Sequence, residues 1–389
     1  MFKIKIKFVI LSILFFILAY IEGGPLFYRI FYTFAAVTLL ALCVIIFNRR
    51  YLNIDIFFEK NIYSSGQAGK FDVVLNNRGI LPISYLIVVN SALKEMSSRY
   101  NGDAVNIGSF STKKLRYEVH FRNRGVYDFG NTEARFKDTA AIIESRKNYS
   151  TKALVHVYPR IVPVNSSIFQ GLNLFNNYRI SSSGIDDPYT IRDNRKYREG
   201  DSLKRINWKV SAKYNDLYVR NHEIVVGEEF NIFLDMHVSN YRYDSTGVSE
   251  EQLIDTCISI VHYLAKMQIV SKLFINSANP RKFDIKEKRD FEQLMDYFLV
   301  NKSDSVVPFV QFLRIYKAND PSMNNIAFIT SRVDKSLLEF AMRLEEKKKN
   351  LIIFFNQVED IDGVNIVKLR KLGVKVIDVS EIIKYNQQL

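Results

Sequence analysis

Two stretches of this chain carry residue types that could do chemistry. Asp235-Met236-His237-Val238-Ser239 follows a run that reads as a strand, Glu229 to Asp235, and Thr330-Ser331 follows another, Ile326 to Thr330. In open α/β sheets, ligands bind beyond the carboxyl ends of the strands, so both polar groups fall where a site is expected. The second stretch, Ile191 to Arg220, reads IRDNRKYREGDSLKRINWKVSAKYNDLYVR and holds the only tryptophan, Trp208. Its turn at Glu199-Gly200-Asp201 would let Asp201 cap a helix that includes Ile206 and Trp208. That arrangement gathers Arg192, Arg195, Lys196, Arg198, Lys204, Arg205, Lys209 and Lys213 around one short element. A concentrated basic surface of this kind suits an acidic partner protein. Asp193, Glu199 and Asp201 are interleaved with it, so a salt-bridged clasp that packs Trp208 against the next domain is the competing reading. Nucleic acid ranks behind both, because Tyr197, Trp208 and Tyr214 are too few stacking platforms for a strand groove.

Enzyme signatures are missing. There is no G-x-x-x-x-G-K-[ST] loop, no G-x-S-x-G elbow and no H-E-x-x-H, and the five histidines are scattered. His120 and His156 fall inside strand-like runs, where a packed or surface histidine outweighs a metal ligand. Asp334, Glu345 and Glu346 lie on helical segments that read as solvated faces. A non-enzymatic role is therefore expected, with an unrecognised hydrolase as the outside alternative. Cys43 and Cys257 show no pairing pattern, and Cys257 sits at helical spacing with Leu253, Ile260, Val261 and Leu264, which points to a reducing cytoplasm.

The elements that must position these residues fall into four parts. Residues 1–50 read as a transmembrane hairpin. Phe8 to Ile21 is uncharged, Glu22-Gly23-Gly24-Pro25 interrupts it, and Leu26 to Phe47 carries Arg29 as its only charge. Crossing the hydrocarbon takes roughly 20 apolar residues, so the second run is long enough and the first needs its lysines to snorkel. Lys3, Lys5 and Lys7 before the first helix, with Arg49 and Arg50 after the second, put both ends in the cytoplasm and the Glu22 to Pro25 turn outside. Residues 51–164 read as an antiparallel, immunoglobulin-like β-sandwich, from alternation at Ile54 to Phe58, Lys70 to Leu75, Tyr85 to Val89, Leu115 to Phe121 and Ala153 to Tyr158. Residues 165–222 connect, and residues 223–389 alternate strand and helix as a parallel, doubly wound α/β domain does. The net charge of +13 suits an acidic partner or the anionic lipid face of a membrane, and the composition of 48% apolar residues argues for folded domains throughout.

The central stretch resembles the hallmark of bacterial proteins carrying domain of unknown function 58, through Arg195, Tyr197, Gly200, Asp201, Arg205, Ile206, Trp208, Lys209, Ser211, Ala212 and Lys213. The likeness extends to the hairpin, Arg124-Gly125-Val126-Tyr127, Val157-Tyr158-Pro159-Arg160 and the strand at Glu229 to Asp235. The family's Asp-Pro-Phe-Gly segment is replaced by Lys137-Asp138-Thr139-Ala140. Arg195, Tyr197, Gly200, Asp201, Arg205, Asn207, Trp208 and Lys209 are thus the candidate partner-binding or structural residues. The resemblance implies a von Willebrand factor type A-like C-terminal domain, whose D-x-S-x-S motif Asp235 and Ser239 match. It would hold Mg²⁺ there, although His237 replaces the middle serine and Ser331 stands in place of an aspartate, and imidazole suits softer metals. The resemblance also implies a membrane-anchored adaptor whose partner is a MoxR-type AAA+ ATPase, in assembly or envelope maintenance.

Overall fold

The computed structural model describes residues 2–22, 25–97, 99–138, 143–169, 191–197, 206–214, 216–222, 229–241, 244, 246–356 and 363–384. The chain divides into two compact units, residues 1–158 and 159–389. Gly200, Asp201 and Arg205, and the departure at Thr139-Ala140, lie outside the described residues.

The first unit opens with a short strand β1 (Phe2–Ile4), then two apolar helices, α1 (Ile6–Glu22) and α2 (Pro25–Tyr51). Ring pairs Phe8–Phe34 and Phe16–Phe31, each 5.1 Å between centroids, set the two helices antiparallel. Among the described residues α2 is the one helix long and apolar enough to cross a membrane; the apolar part of α1, Phe8–Ile21, is shorter. At 1.5 Å per residue, the 27 residues of α2 span about 40 Å. The strands that follow are β2 (Leu52–Phe58), β3 (Ile62–Ser64), β4 (Ala68–Asn77) and β5 (Ile83–Asn90), then a helical turn α3 (Ser91–Met96). After it come β6 (Asp103–Ile107), β7 (Thr112–His120), β8 (Gly125–Asp128), β9 (Asn131–Lys137), β10 (Ile143–Ser150) and β11 (Leu154–Tyr158).

These strands form a five-stranded sheet in the order β1-β10-β9-β5-β6, and two three-stranded sheets, β2-β4-β7 and β3-β11-β8. All pairings are antiparallel except β3 with β11. Period-two alternation explains how they share one core: β4 turns Phe71, Val73 and Leu75 inward while Lys70 faces water. At its centre Phe58, Phe71 and Phe129 pack with centroids 4.8–5.1 Å apart. Asn90 ties one end together, its Oδ1 accepting from Leu93 N–H at 3.2 Å to cap α3 and its Nδ2 donating to the Phe129 carbonyl at 2.7 Å. The pairing of β1 with β10, Ile4 opposite Ile143, went unseen in the sequence, where Lys3 and Lys5 read only as basic flanks.

In the second unit, a two-stranded ribbon of β12 (Ile191–Lys196) and β13 (Tyr218–His222) flanks a short helix α4 (Trp208–Tyr214). The α/β domain then runs β14 (Phe230–Asp235), α5 (Val248–Lys266), β15 (Ser271–Asn276), β16 (Arg281–Ile285), α6 (Lys288–Val300) and α7 (Phe309–Ile315). It ends with β17 (Asn325–Thr330), α8 (Lys335–Glu346), β18 (Asn350–Phe355), α9 (Gly363–Lys371), β19 (Lys375–Asp378) and α10 (Val379–Lys384). Its sheet has the order β16-β15-β14-β17-β18-β19 and is parallel except for the edge strand β16. Every residue of β14 and β17 is buried, as central parallel strands require, because helices cover both faces. Residues from α5, α6 and α10 pack on one face and residues from α7, α8 and α9 on the other.

The expected alternation is present, and three elements escaped it, α10 among them. β16 carries Arg281, Lys282 and Asp284, too polar to read as a strand, and α7 is only seven residues long. The segment after β11 is moored to α5. Arg160 N–H donates to Asp255 Oδ1 and Val162 N–H to Ser259 Oγ, both at 2.8 Å. Asp255 is buried, so Asp255→Ala leaves the half-buried Arg160 N–H without its acceptor, a loss of about 1 kcal/mol or more. Amide exchange at Arg160 should accelerate by one to two decades in that variant; an unchanged rate would mean that other contacts hold the segment.

Candidate functional site

The central motif divides by direction. The sequence reading put Ile206 inside a helix capped by Asp201, but Ile206 lies in a β-bridge opposite Val219, both nearly fully buried. A branched apolar side chain wedged against a strand serves better there than on a helix turn. The helix starts at Trp208, and Asn207 caps it: its backbone carbonyl accepts from Ser211 N–H at 2.9 Å and its Oδ1 from Val210 N–H at 3.4 Å. Asn207 N–H in turn donates to the Tyr218 carbonyl at 2.8 Å. The buried Ser211 hydroxyl accepts from Tyr218 N–H at 2.9 Å, which fastens α4 to β13. On the ribbon, Arg195 lies opposite Val219, Lys196 forms an ion pair with Asp216, and Tyr197 N–H donates to the Leu217 carbonyl at 2.8 Å.

Among the described residues, the rest of the motif is exposed. Trp208 is 66% exposed and Tyr214 61%, with Lys209, Ala212 and Lys213 exposed beside them. Trp208 and Ala212 share one helical face, and Lys209 and Lys213 share the next, at i, i+4 spacing. The Lys213 ammonium sits 5.7 Å from the Tyr214 ring centroid. The clasp reading required Trp208 to be packed away; its indole instead stands open.

The strand-end site is built on Asp235, the last residue of β14. Its carboxylate is buried and accepts four hydrogen bonds. Oδ1 takes His237 N–H at 3.1 Å and Asn276 Nδ2 at 3.2 Å; Oδ2 takes Asn240 Nδ2 at 2.7 Å and the Thr330 hydroxyl at 2.9 Å. Asn276 is itself fixed, donating to the Val307 carbonyl at 3.0 Å and accepting from the Ser305 hydroxyl at 2.8 Å. Asp235 thus locks together the ends of β14, β15 and β17. Ser239 is turned to His237: its N–H donates to Nδ1 at 3.2 Å and its hydroxyl lies 2.7 Å from the same nitrogen.

Above this network lies a cleft of about 390 Å³. His237, Ser239, Phe309, Arg314, Arg332 and Asp334 are among its lining residues. Asp334 caps α8, its Oδ1 accepting from Leu337 N–H at 2.8 Å. The residues present do not fit a magnesium ion. Mg²⁺ needs free hard oxygens in near-octahedral array, whereas both Asp235 oxygens are filled by protein donors and Ser239 is engaged with an imidazole. Among the described residues there is no group of three or more His, Cys, Asp or Glu side chains placed to hold a metal. Sequence reading found Asp235 and Ser239 but missed Asn240, Asn276 and Thr330 as its partners, and Arg314 altogether. Only Thr330, at a strand end, carried a local signal.

Burial pushes the Asp235 carboxyl above the usual carboxylate range, and the hydrogen bonds from Thr330, Asn240, Asn276 and the His237 backbone oppose that shift without cancelling it. A raised value means that the folded chain holds this proton more tightly than the unfolded chain. The group's contribution is therefore full below the ordinary carboxylate pKa and is lost as pH rises through the shifted one. Relative to Asp235→Asn, which does not titrate, the melting temperature of the wild type should fall as pH is raised above about 4. A difference that grows with pH instead would mean that the four donors outweigh burial.

Residues 193–278 match the family model described as protein of unknown function DUF58, a span that runs from the ribbon through β15. The uncharacterized protein YeaD of Bacillus subtilis (strain 168) is 21% identical over 355 residues, covering 86% of this chain and 85% of that protein. Among solved structures, the CARDB domain of the PF1109 protein from Pyrococcus furiosus aligns with 27% of this chain and 86% of its own, at 14% identity and a TM-score of 0.19. Proximal thread matrix protein 1 from the mussel byssus aligns over 40% of this chain and 45% of its own, at 13% identity and a TM-score of 0.29. At these scores neither structure bears on the fold.

Proposed function

We propose that this chain is a non-enzymatic, membrane-anchored adaptor that docks a partner protein on the outward face of α4. The observation that carries this reading is the exposed Trp208, held in place by the buried Ile206, Asn207 and Ser211 and flanked by Lys209 and Lys213. An indole left in water beside cations is the composition of an interface anchor for an acidic surface. The resemblance to the family of unknown function 58 points to a MoxR-type AAA+ ATPase as that partner, and to a von Willebrand type A-like C-terminal domain.

Two features support the anchor. Ile10, Tyr20, Leu39 and Leu40 on α1 and α2 are 60% to 78% exposed, a density of open apolar surface that suits lipid. Pairing of β1 with β10, and the direct run of α2 into β2, bring both ends of the helix pair to one β-domain, which favours a two-helix hairpin with both ends on one side. Arg49 and Arg50 at the end of α2 favour the cytoplasmic side. The β-domain, in this reading immunoglobulin-like, then follows the anchor along the chain.

Co-purification of the tagged full chain from detergent-solubilised host membranes should recover an AAA+ ATPase. Recovery of nucleic acid, or of no ATPase, ends the adaptor reading. A reporter fused after Leu389 should be active in the cytoplasm, and an external signal would overturn the orientation.

A further inference from the structure

We infer that the strand-end cleft of the α/β domain binds an oxyanion of the kind a phosphate monoester presents, directly on Arg314 and Arg332, with no divalent cation between. The cleft lies at the point where the sheet order reverses: the chain leaves β14 for β15 on one side and returns later to β17 on the other. Open α/β sheets bind ligands at that crevice, outside the carboxyl ends of the strands.

The residues there decide the charge of the ligand. A cation would need carboxylate lone pairs facing the cleft, and those of Asp235 are taken by His237 N–H, Asn276, Asn240 and Thr330. Asp334 is the other acidic lining residue; its Oδ1 accepts from the first turn of α8, and its single charge is outweighed by two arginines on the same cleft. Two arginines line the same cleft from separate elements, Arg314 from α7 and Arg332 from the turn after β17, and both residues are exposed. Guanidinium forks match oxyanions through paired N–H donors, and two of them match the double charge of a phosphate better than the single charge of a carboxylate. Room for more than the anion remains. A volume of about 390 Å³ lies within the range of small-ligand sites, roughly 300–1,000 Å³, and Phe309 gives it an apolar wall for the ester group.

The inference does not rest on the docking face of α4, and its test separates the two. Calorimetric titration of the full chain in detergent micelles with inorganic phosphate, in buffer containing EDTA, should give saturable heat. Phenyl phosphate should bind more tightly. Arg314→Gln and Arg332→Gln should each raise the apparent Kd about tenfold or more with the melting temperature unchanged, while Trp208→Ala leaves it alone. Mg²⁺ titrated without phosphate should give no heat. Silence toward phosphate, phosphate heat that survives both glutamine variants, or Mg²⁺ heat that Asp235→Asn removes would each overturn the assignment.

Discussion

Trp208→Ala should weaken capture of the proposed partner by about thirtyfold or more and leave the melting temperature of the chain unchanged. The first half follows from what an exposed indole does at an interface. Truncating an anchoring tryptophan costs about 2–4 kcal/mol of binding, and every 1.4 kcal/mol is tenfold. The second half follows from its 66% exposure, since a surface substitution that touches no buried group stays within about 0.5 kcal/mol. Lys209→Glu on the neighbouring face should act mainly on the association rate and should lose its effect at high salt, because rim charges steer encounter. The contrast is Ile206→Ala. That side chain is buried against Val219, so its loss removes packing, about 2–4 kcal/mol, and loosens the ribbon from α4. If Ile206→Ala and Trp208→Ala both melt early and both lose the partner, the motif is structural and the docking face is elsewhere. If only Trp208→Ala loses the partner at an unchanged melting temperature, the indole makes the contact.

That division of labour within the motif could not be read from the residues alone. Spacing located the basic stretch and the tryptophan, but a helix capped by Asp201 and one capped by Asn207 fit the same letters. The difference is a tertiary contact: Val219, thirteen positions away, takes Ile206 into a β-bridge and leaves Asn207 as the cap. Long periodic segments were legible for the opposite reason. β14 and β17 are short, predominantly apolar runs, α5 repeats its apolar face over nineteen residues, and each is stabilised by a pattern contained within itself. β1 shows the limit from the other side. Three residues ahead of an apolar helix carry no strand signal, and only the open edge of β10 makes them one. Capture therefore needs the full chain, since a fragment trimmed at Tyr51 would lose that edge strand.

Asp235→Ala should be the most destabilising single change in the α/β domain, at about 3–5 kcal/mol. It removes the common acceptor of Asn240, Asn276, Thr330 and the His237 backbone, and of these Asn276 and Thr330 are the last residues of β15 and β17. Each donor left dry costs about 1–3 kcal/mol, and their losses overlap because the site relaxes as one unit. Amide exchange in β14 and β17 of the full chain should quicken by about two to three decades. Ser239→Ala sets the scale for the alternative. Were Asp235 and Ser239 a pair of metal ligands with no other duty, the two variants would behave alike in EDTA, each close to the wild type. Ser239 is exposed and engages only His237 among its described contacts, so its variant should stay within about 0.5 kcal/mol. A large gap between the two assigns Asp235 to holding the strand ends together. That role is a precondition for the cleft above it, because the loop carrying His237 and the turn carrying Arg332 both start from residues that Asp235 holds, Met236 being followed by His237 and Thr330 accepting Arg332 N–H at 3.2 Å. Equal and small effects would instead mean that Asn276 and Thr330 can re-pair without the carboxylate.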